Sequence, residues 1–120
     1  MSDMSMLING LKVTAEKGAT FERRNPLDGS VATRAPAASP ADAVMAVEAA
    51  AEAFKTWSET GPTMRRALLL KAADALEAKT PAFIEAVSAE TGATAMWGGF
   101  NVMLAAGMIR EAASLTTQVG

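Results

Sequence analysis

No charged residue occurs between Glu90 and Arg110, and this stretch restricts the possible folds more than any other part of the sequence. We predict a helix over roughly Met96 to Gln118, and the first half of this helix is apolar nearly all round. A soluble protein must bury such a helix on most of its sides. Glycines, threonines and an asparagine interrupt the stretch, so its continuous apolar part falls short of the ~20 residues that a membrane span needs. We therefore predict a buried helix and no membrane insertion.

Helical signals also dominate the chain before this stretch, and we assign residues 39–118 to about four helices. The first has Ser39 as its N-cap, Pro40 in the first helical position and Asp42 as the third residue. It ends before Gly61, and its apolar residues recur at helical spacing. The stripe consists of Val44, Val47, Ala51, Phe54 and either Trp57 or Ser58.

Two shorter helices are predicted next. The second runs from about Thr63, with one face formed by Leu69, Ala72, Ala73 and Leu76. In the third, we expect Thr80 to be the N-cap and Gly92 to end the helix in a left-handed conformation. Its inward residues are expected to be Phe83, Ile84 and Val87.

The first 35 residues alternate short apolar segments with turn residues. Asn9-Gly10 stands between two apolar pairs, a pattern typical of a two-residue hairpin turn with positive φ. A second hairpin is predicted from strands at 20–25 and 31–35, joined by the turn Pro26-Leu27-Asp28-Gly29. We therefore assign residues 6–35 to β-hairpins in an antiparallel meander, and the whole chain to an α+β segment.

These elements supply few partners for the last helix. Alanine is the commonest residue and buries little area, while four Phe and two Trp supply the large apolar anchors. Three amphipathic helices and a few strands barely cover a helix that is apolar all round. We therefore expect residues 1–120 to be a truncated part of a larger domain.

The absence of certain residue types excludes much catalytic chemistry. The sequence has no His and no Cys, which excludes Ser-His-Asp and Cys-His catalysis and His- or Cys-ligated metal sites within this chain. The formal net charge is −2 and no basic face is clustered, which argues against nucleic acid as a partner. The first residues lack the features of a signal peptide, so we expect a cytoplasmic protein. We predict no catalytic, cofactor-binding or metal-binding residue in this chain.

The glycines of the last helix allow two interpretations. Gly98, Gly99 and Gly107 do not have the G-x-G-x-x-G spacing of a dinucleotide-binding loop. A close contact between helices explains them better than a phosphate site.

The large apolar side chains of the same helix also allow two interpretations. They could line a tunnel for an apolar ligand, or they could belong to the core, and the residues taken alone favour the core. These side chains are Trp97, Phe100, Met103 and Met108.

Several short motifs follow one another along nearly the whole chain. They are Ile8-Asn9-Gly10, Asn25-Pro26-Leu27-Asp28-Gly29, Ala46-Val47-Glu48-Ala49-Ala50-Ala51-Glu52-Ala53-Phe54, Arg65-Arg66-Ala67-Leu68-Leu69-Leu70-Lys71-Ala72-Ala73-Asp74 and Glu90-Thr91-Gly92. In this order they resemble the amino-terminal part of the NAD(P)-dependent aldehyde dehydrogenase superfamily. The tail from Phe100 through Arg110 to Gln118 is similar to the branch that oxidises aromatic aldehydes such as salicylaldehyde, benzaldehyde or vanillin.

The resemblance implies a parent enzyme of α/β fold that oxidises an aldehyde to its carboxylic acid with NAD or NADP. In that family a cysteine attacks the aldehyde and a glutamate activates water, and both lie downstream of the matching segment. The segment alone is therefore expected to be inactive and to bind no cofactor. The implied partners are the remainder of the enzyme chain, further subunits in a dimer or tetramer, and an aromatic aldehyde.

The resemblance also changes the interpretation of the last helix. In the family, the helix that matches Trp97 to Leu115 borders the substrate tunnel. Trp97, Phe100 and Met103 thus become candidate tunnel residues. The alternative hypothesis is a standalone interaction module without catalysis, which would pair through its edge strands or through the glycine-bearing helix.

Overall fold

A computed structural model describes residues 2–118 of the chain, which divides into two compact units, Met1–Glu59 and Thr60–Gly120. Within the described residues, short strands and one long helix belong to the first unit, and three helices belong to the second. The elements are β1 (Ser2–Asp3), β2 (Met6–Ile8), β3 (Leu11–Val13), β4 (Thr20–Arg24), β5 (Val31–Pro36), α1 (Pro40–Trp57), α2 (Pro62–Glu77), α3 (Thr80–Thr91) and α4 (Ala95–Ser114).

The predicted first hairpin is confirmed. Strands β2 and β3 pair in antiparallel fashion, with Ile8 opposite Leu11. The two turn residues between them, Asn9 and Gly10, have φ values of 52° and 74°. Asn and Gly tolerate this left-handed conformation better than other residues, so the local sequence determines the turn.

The second hairpin is also confirmed, but the continuous meander is wrong. Strands β4 and β5 are antiparallel, and β5 also pairs in parallel with β1, giving a three-stranded sheet in the order β1-β5-β4. Strands β2 and β3 form a separate two-stranded sheet. A 3-10 turn at Glu16–Gly18 separates β3 from β4, and Lys17 and Gly18 have positive φ there. Because β4 pairs with β5 and not with β3, it does not continue the first hairpin.

Helix α1 begins at the predicted capping box. The backbone N–H of Asp42 donates to Ser39 Oγ at 3.2 Å, and the N–H of Ser39 donates to Asp42 Oδ2 at 2.8 Å. The same carboxylate oxygen accepts from the N–H of Glu16 at 3.0 Å. These backbone donors lower the pKa of Asp42, with Glu16 the largest cause and Ser39 the next. Asp42 therefore both caps α1 and fastens the 3-10 turn to it.

One of the predicted caps in the second unit is wrong. Thr80 is the first residue of α3, with Lys79 in the N-cap position. The reason is that the Thr80 hydroxyl donates to the carbonyl of Glu77 at 2.6 Å, at the end of the preceding helix. The other end of α3 is as predicted, because Gly92 has φ 71° and its N–H donates to the carbonyl of Ser88.

Helix α4 is shorter than predicted. It ends at Ser114 and not at Gln118, because the N–H of Leu115 is shared between the carbonyls of Glu111 and Ala112 and the chain continues in turns. The helix packs against α2 and α3 within the second unit. The most buried apolar residues there are small, with Val102 the largest; they are Ala73, Val102, Ala106 and Ala113.

Large apolar side chains lie mostly at the surface of the described part of the chain. The predicted stripe of α1 is exposed, with Val47 at 68% and Phe54 at 63%. Phe83, which the sequence predicts to point inward, is 43% exposed. Helix α4 places Gly98 against Ile84 and Val87, and these two side chains are better covered. The prediction that α4 is buried on most of its sides is wrong for the described residues, in which Met96 is 83% and Met108 is 66% exposed, because α2 and α3 cover only part of its surface. Among the helices of the described residues, none combines the length and the apolar character that a membrane crossing requires.

Candidate functional site

The start of α4 carries an open apolar hollow of about 330 Å³. Its walls are formed by four side chains within two turns of the helix start, Thr94, Met96, Trp97 and Phe100. Two of the three predicted tunnel residues, Trp97 and Phe100, are therefore brought together by the fold.

The two aromatic rings stack on each other. The ring centroids of Trp97 and Phe100 lie 5.6 Å apart, and the ring planes differ by 28°. Residues three apart on a helix are neighbours on its surface, so this spacing favours the stack. Stacked aromatic rings offer a flat apolar surface to a third ring, with little rotamer freedom to lose on binding.

The backbone of Trp97 is held at both ends by side chains. Its N–H donates to Thr94 Oγ1 at 3.2 Å, which makes Thr94 the N-cap of α4. Its carbonyl accepts from Asn101 Nδ2 at 2.8 Å. Neither bond was predicted from the sequence, although the pattern of a threonine three residues before Trp97 is an N-cap signal. These bonds fix the position from which the indole ring projects.

Met103 does not belong to the hollow, and Met96 does. Met103 lies seven positions after Met96, on the same face of α4 but about 10 Å further along the helix axis, and it is 60% exposed. Met96 adjoins Trp97 and contributes to the lining. The sequence signal that could have identified Met96 is its position directly after the helix start, beside the predicted aromatic pair.

A second, smaller hollow of about 230 Å³ lies between α2, α3 and α4. Leu76, Phe83, Val87 and Val102 supply its apolar walls, and Asn101 is its one amide side chain among the described lining residues. Because Asn101 Nδ2 already binds the carbonyl of Trp97, the amide connects this hollow to the first one through the helix backbone.

The glycines of α4 differ in what surrounds them. A Cβ on Gly98 would lie 2.9 Å from Val87 Cγ1 and 3.2 Å from the Cα of Ile84, so the predicted close helix contact is confirmed there. Gly99 lies in ordinary contact distance of Ile84. A Cβ on Gly107 would have no neighbouring heavy atom of the described residues within 4 Å, so the prediction of a close contact is wrong there.

Charged side chains take no part in the described lining of the hollow at the start of α4. Among the described residues, no group of three or more His, Cys, Asp or Glu side chains is arranged to hold a metal ion. The first hollow is lined by three apolar side chains and one hydroxyl. This arrangement can bind and orient a flat apolar ring, but its lining contains no acid or base for proton transfer.

The described residues thus combine two small sheets and four helices with an apolar hollow at the start of α4. Residues 13–120 match the profile of the aldehyde dehydrogenase family. The chain therefore belongs to the aldehyde dehydrogenase family, and the α+β fold expected from the sequence is confirmed.

Individual relatives agree with this assignment. The chain is 54% identical over 119 residues to the vanillin dehydrogenase of Pseudomonas fluorescens, covering 99% of this chain and 24% of that protein. It matches the crystal structure of a salicylaldehyde dehydrogenase from Pseudomonas putida G7 complexed with salicylaldehyde with a TM-score of 0.92 and 47% identity, over 98% of this chain and 24% of that one.

A third match is the crystal structure of an NAD-dependent benzaldehyde dehydrogenase from Corynebacterium glutamicum. Its TM-score is 0.87 at 32% identity, over 94% of this chain and 25% of that one. The chain thus spans about a quarter of the length of the relatives that it matches.

Proposed function

We propose that residues 1–120 form the N-terminal segment of an NAD(P)-dependent aldehyde dehydrogenase subunit that oxidises an aromatic aldehyde to its carboxylic acid. The observation that carries this proposal is the match to a salicylaldehyde dehydrogenase over 98% of the chain, at a TM-score of 0.92. The relatives named for vanillin and benzaldehyde support the same substrate class.

The segment's contribution to the reaction is to form one wall of the substrate tunnel. Trp97 and Phe100 present stacked rings to the hollow, and a benzaldehyde-type ring can lie against them through apolar and aromatic contact. Met103, further along α4 and exposed, is proposed to contact the tunnel beyond this hollow. These contacts orient the aldehyde and exclude water from it, which are the roles that a tunnel wall can perform.

NAD or NADP is proposed to be held by the rest of the subunit. The residues of this chain do not fit a dinucleotide, because its sequence has no G-x-G-x-x-G loop between a strand and a helix. The sequence also has no Cys, so the nucleophile of the implied thiohemiacetal chemistry belongs to another part of the enzyme. The segment alone is therefore inactive.

The exposed apolar faces support a role as a scaffold. Val47 and Phe54 on α1 are more than half exposed. Exposure of such an apolar stripe to water is unfavourable. We propose that the remainder of the subunit covers this stripe, and that subunits assemble into a dimer or tetramer in the cytoplasm.

A chimeric enzyme tests the proposal. The matching residues of P. fluorescens vanillin dehydrogenase are replaced by residues 1–120 of this chain, and NAD-dependent oxidation of vanillin and benzaldehyde is measured. The matched controls are the unaltered vanillin dehydrogenase and the isolated 120-residue chain. We expect the chimera to be active and the isolated chain to be inactive.

The same experiment distinguishes the proposed enzyme segment from a standalone interaction module. The exposed stripe of α1 would equally suit a standalone module that binds another protein. A chimera that folds and binds NAD, yet oxidises neither aldehyde, would favour this interaction module. Activity of the isolated chain would contradict both hypotheses.

A further inference from the structure

We propose that Met96 is a specificity-determining residue that forms the adjustable wall of the hollow at the start of α4. This inference rests on the proposed function, since it assigns the hollow to the ring of an aromatic aldehyde. It gives Met96 a role in substrate specificity, which neither the sequence motifs nor the names of the relatives assign to it.

The hollow has one rigid side. The backbone of Trp97 is held by Thr94 and Asn101, and its ring is stacked on Phe100. An aromatic ring that binds there meets a preformed surface. The side of the hollow made by Trp97 and Phe100 can therefore adapt little to substituents on that ring.

Met96 is the flexible member of the lining. Met96 is 83% exposed, and a methionine has three rotatable bonds beyond its Cα and a polarisable sulfur. Such a side chain can shift to contact rings of different outline, and thioether sulfurs contact aromatic rings favourably. Met96 therefore accommodates ring substituents, while Trp97 and Phe100 bind the ring itself.

Thr94, the remaining lining residue, is not free to adapt to ring substituents. Thr94 Oγ1 is engaged as the N-cap of α4, where it accepts from the N–H of Trp97. A shift of its side chain would release that bond, so Thr94 is constrained by the helix start. Discrimination between differently substituted rings consequently falls to Met96.

The test uses the active chimera with Met96→Ala and Met96→Leu, assayed on benzaldehyde and on vanillin. Loss of apolar contact between Met96 and the methoxy group of vanillin, which benzaldehyde lacks, corresponds to about a three- to tenfold weaker interaction. We expect Met96→Ala to raise KM for vanillin by about that factor relative to benzaldehyde, with kcat nearly unchanged, because the lost contact is made equally in the ground and transition states. Met96→Leu should bring the KM for vanillin most of the way back to that of the unaltered chimera.

Met108→Ala is the matched control, since Met108 is 66% exposed on the same helix and does not line the hollow.

An unchanged ratio of the two KM values in Met96→Ala, or an equal change in Met108→Ala, would overturn the inference while the activity of the chimera still upholds the proposed function. If the chimera folds and binds NAD but oxidises neither aldehyde, the proposed function fails, and the inference is tested on the 120-residue chain. There the Trp57→Phe variant leaves Trp97 as the single indole, and quenching of its fluorescence by benzaldehyde and by vanillin reports binding. Met96→Ala must then weaken quenching by vanillin by at least about threefold, and no change would overturn the inference.

Discussion

The guanidinium of Arg110 forms a bidentate ion pair with the carboxylate of Glu77. Arg110 Nη1 donates to Oε1 at 2.8 Å, and Nη2 donates to Oε2 at 2.7 Å. Nη2 also donates to Asp74 Oδ1 at 2.9 Å. The pair joins α4 to the last residue of α2, at the point where the long uncharged stretch of the sequence ends. It therefore adds a directional contact to the apolar packing of α4 against α2.

The Glu77–Arg110 pair makes the stability of the second unit dependent on pH. Hydrogen bonds from Arg110 lower the pKa of Glu77 from its ordinary value of 4.5. A carboxyl with a lowered pKa in the folded state contributes stability that is fully present above its ordinary pKa and is lost as the pH falls through the folded pKa. We expect Glu77→Gln to lower the melting temperature by about 2–4 °C at neutral pH.

The difference between wild type and Glu77→Gln should shrink once the pH falls below the ordinary pKa, and thermal unfolding followed by circular dichroism at a series of pH values measures it. Glu85→Gln, on α3, is the control and should leave the melting temperature nearly unchanged. A difference between wild type and Glu77→Gln that stays constant down to strongly acidic pH would contradict the assignment.

Gly98 and Gly107 provide a matched pair of substitutions on one helix. A methyl at Gly98 would meet Val87 Cγ1 at 2.9 Å and the backbone of Ile84 at 3.2 Å. Because the backbone of α3 cannot move aside as a flexible side chain can, Gly98→Ala should destabilise the second unit by about 1–3 kcal/mol. Gly107→Ala meets nothing within 4 Å among the described residues and should stabilise the helix by about 0.5–1 kcal/mol. Urea unfolding of the two variants measures the difference. Equal effects would mean that α3 does not approach Gly98 closely.

Features that depend on a few neighbouring residues could be predicted from the sequence. The Asn9-Gly10 turn, the Ser39–Asp42 capping box and the left-handed Gly92 each follow from the conformational preferences of the residues themselves. The residues alone favoured the core for Trp97 and Phe100, and only the family resemblance made them tunnel candidates. Their three-residue spacing places both on one side of the helix.

Features that depend on distant parts of the chain could not be predicted in this way. The parallel pairing of β1 with β5 joins residues about thirty positions apart, and no local signal encodes it. Gly98 and Gly107 look alike in the sequence, yet only the packing of α3 against α4 distinguishes them. The exchange of Met103 for Met96 in the hollow has another cause. The two methionines lie on the same face of α4, and their position along the helix axis decides which of them reaches the hollow.

The exposed stripe of α1 should have opposite effects in the isolated chain and in a whole subunit. Val47 and Phe54 lie seven positions apart, on the same face, and are 68% and 63% exposed. We expect the isolated chain to self-associate, because unpartnered apolar faces bury each other in water. The double variant Val47→Glu with Phe54→Glu should shift the isolated chain toward the monomer in sedimentation velocity.

In the chimera the same variant should abolish soluble, active enzyme, because two carboxylates would then be buried against the rest of the subunit. The double variant Glu48→Gln with Glu52→Gln, on the charged side of α1, should change neither property. A fully active chimera carrying both glutamates would show that the rest of the subunit does not cover this stripe.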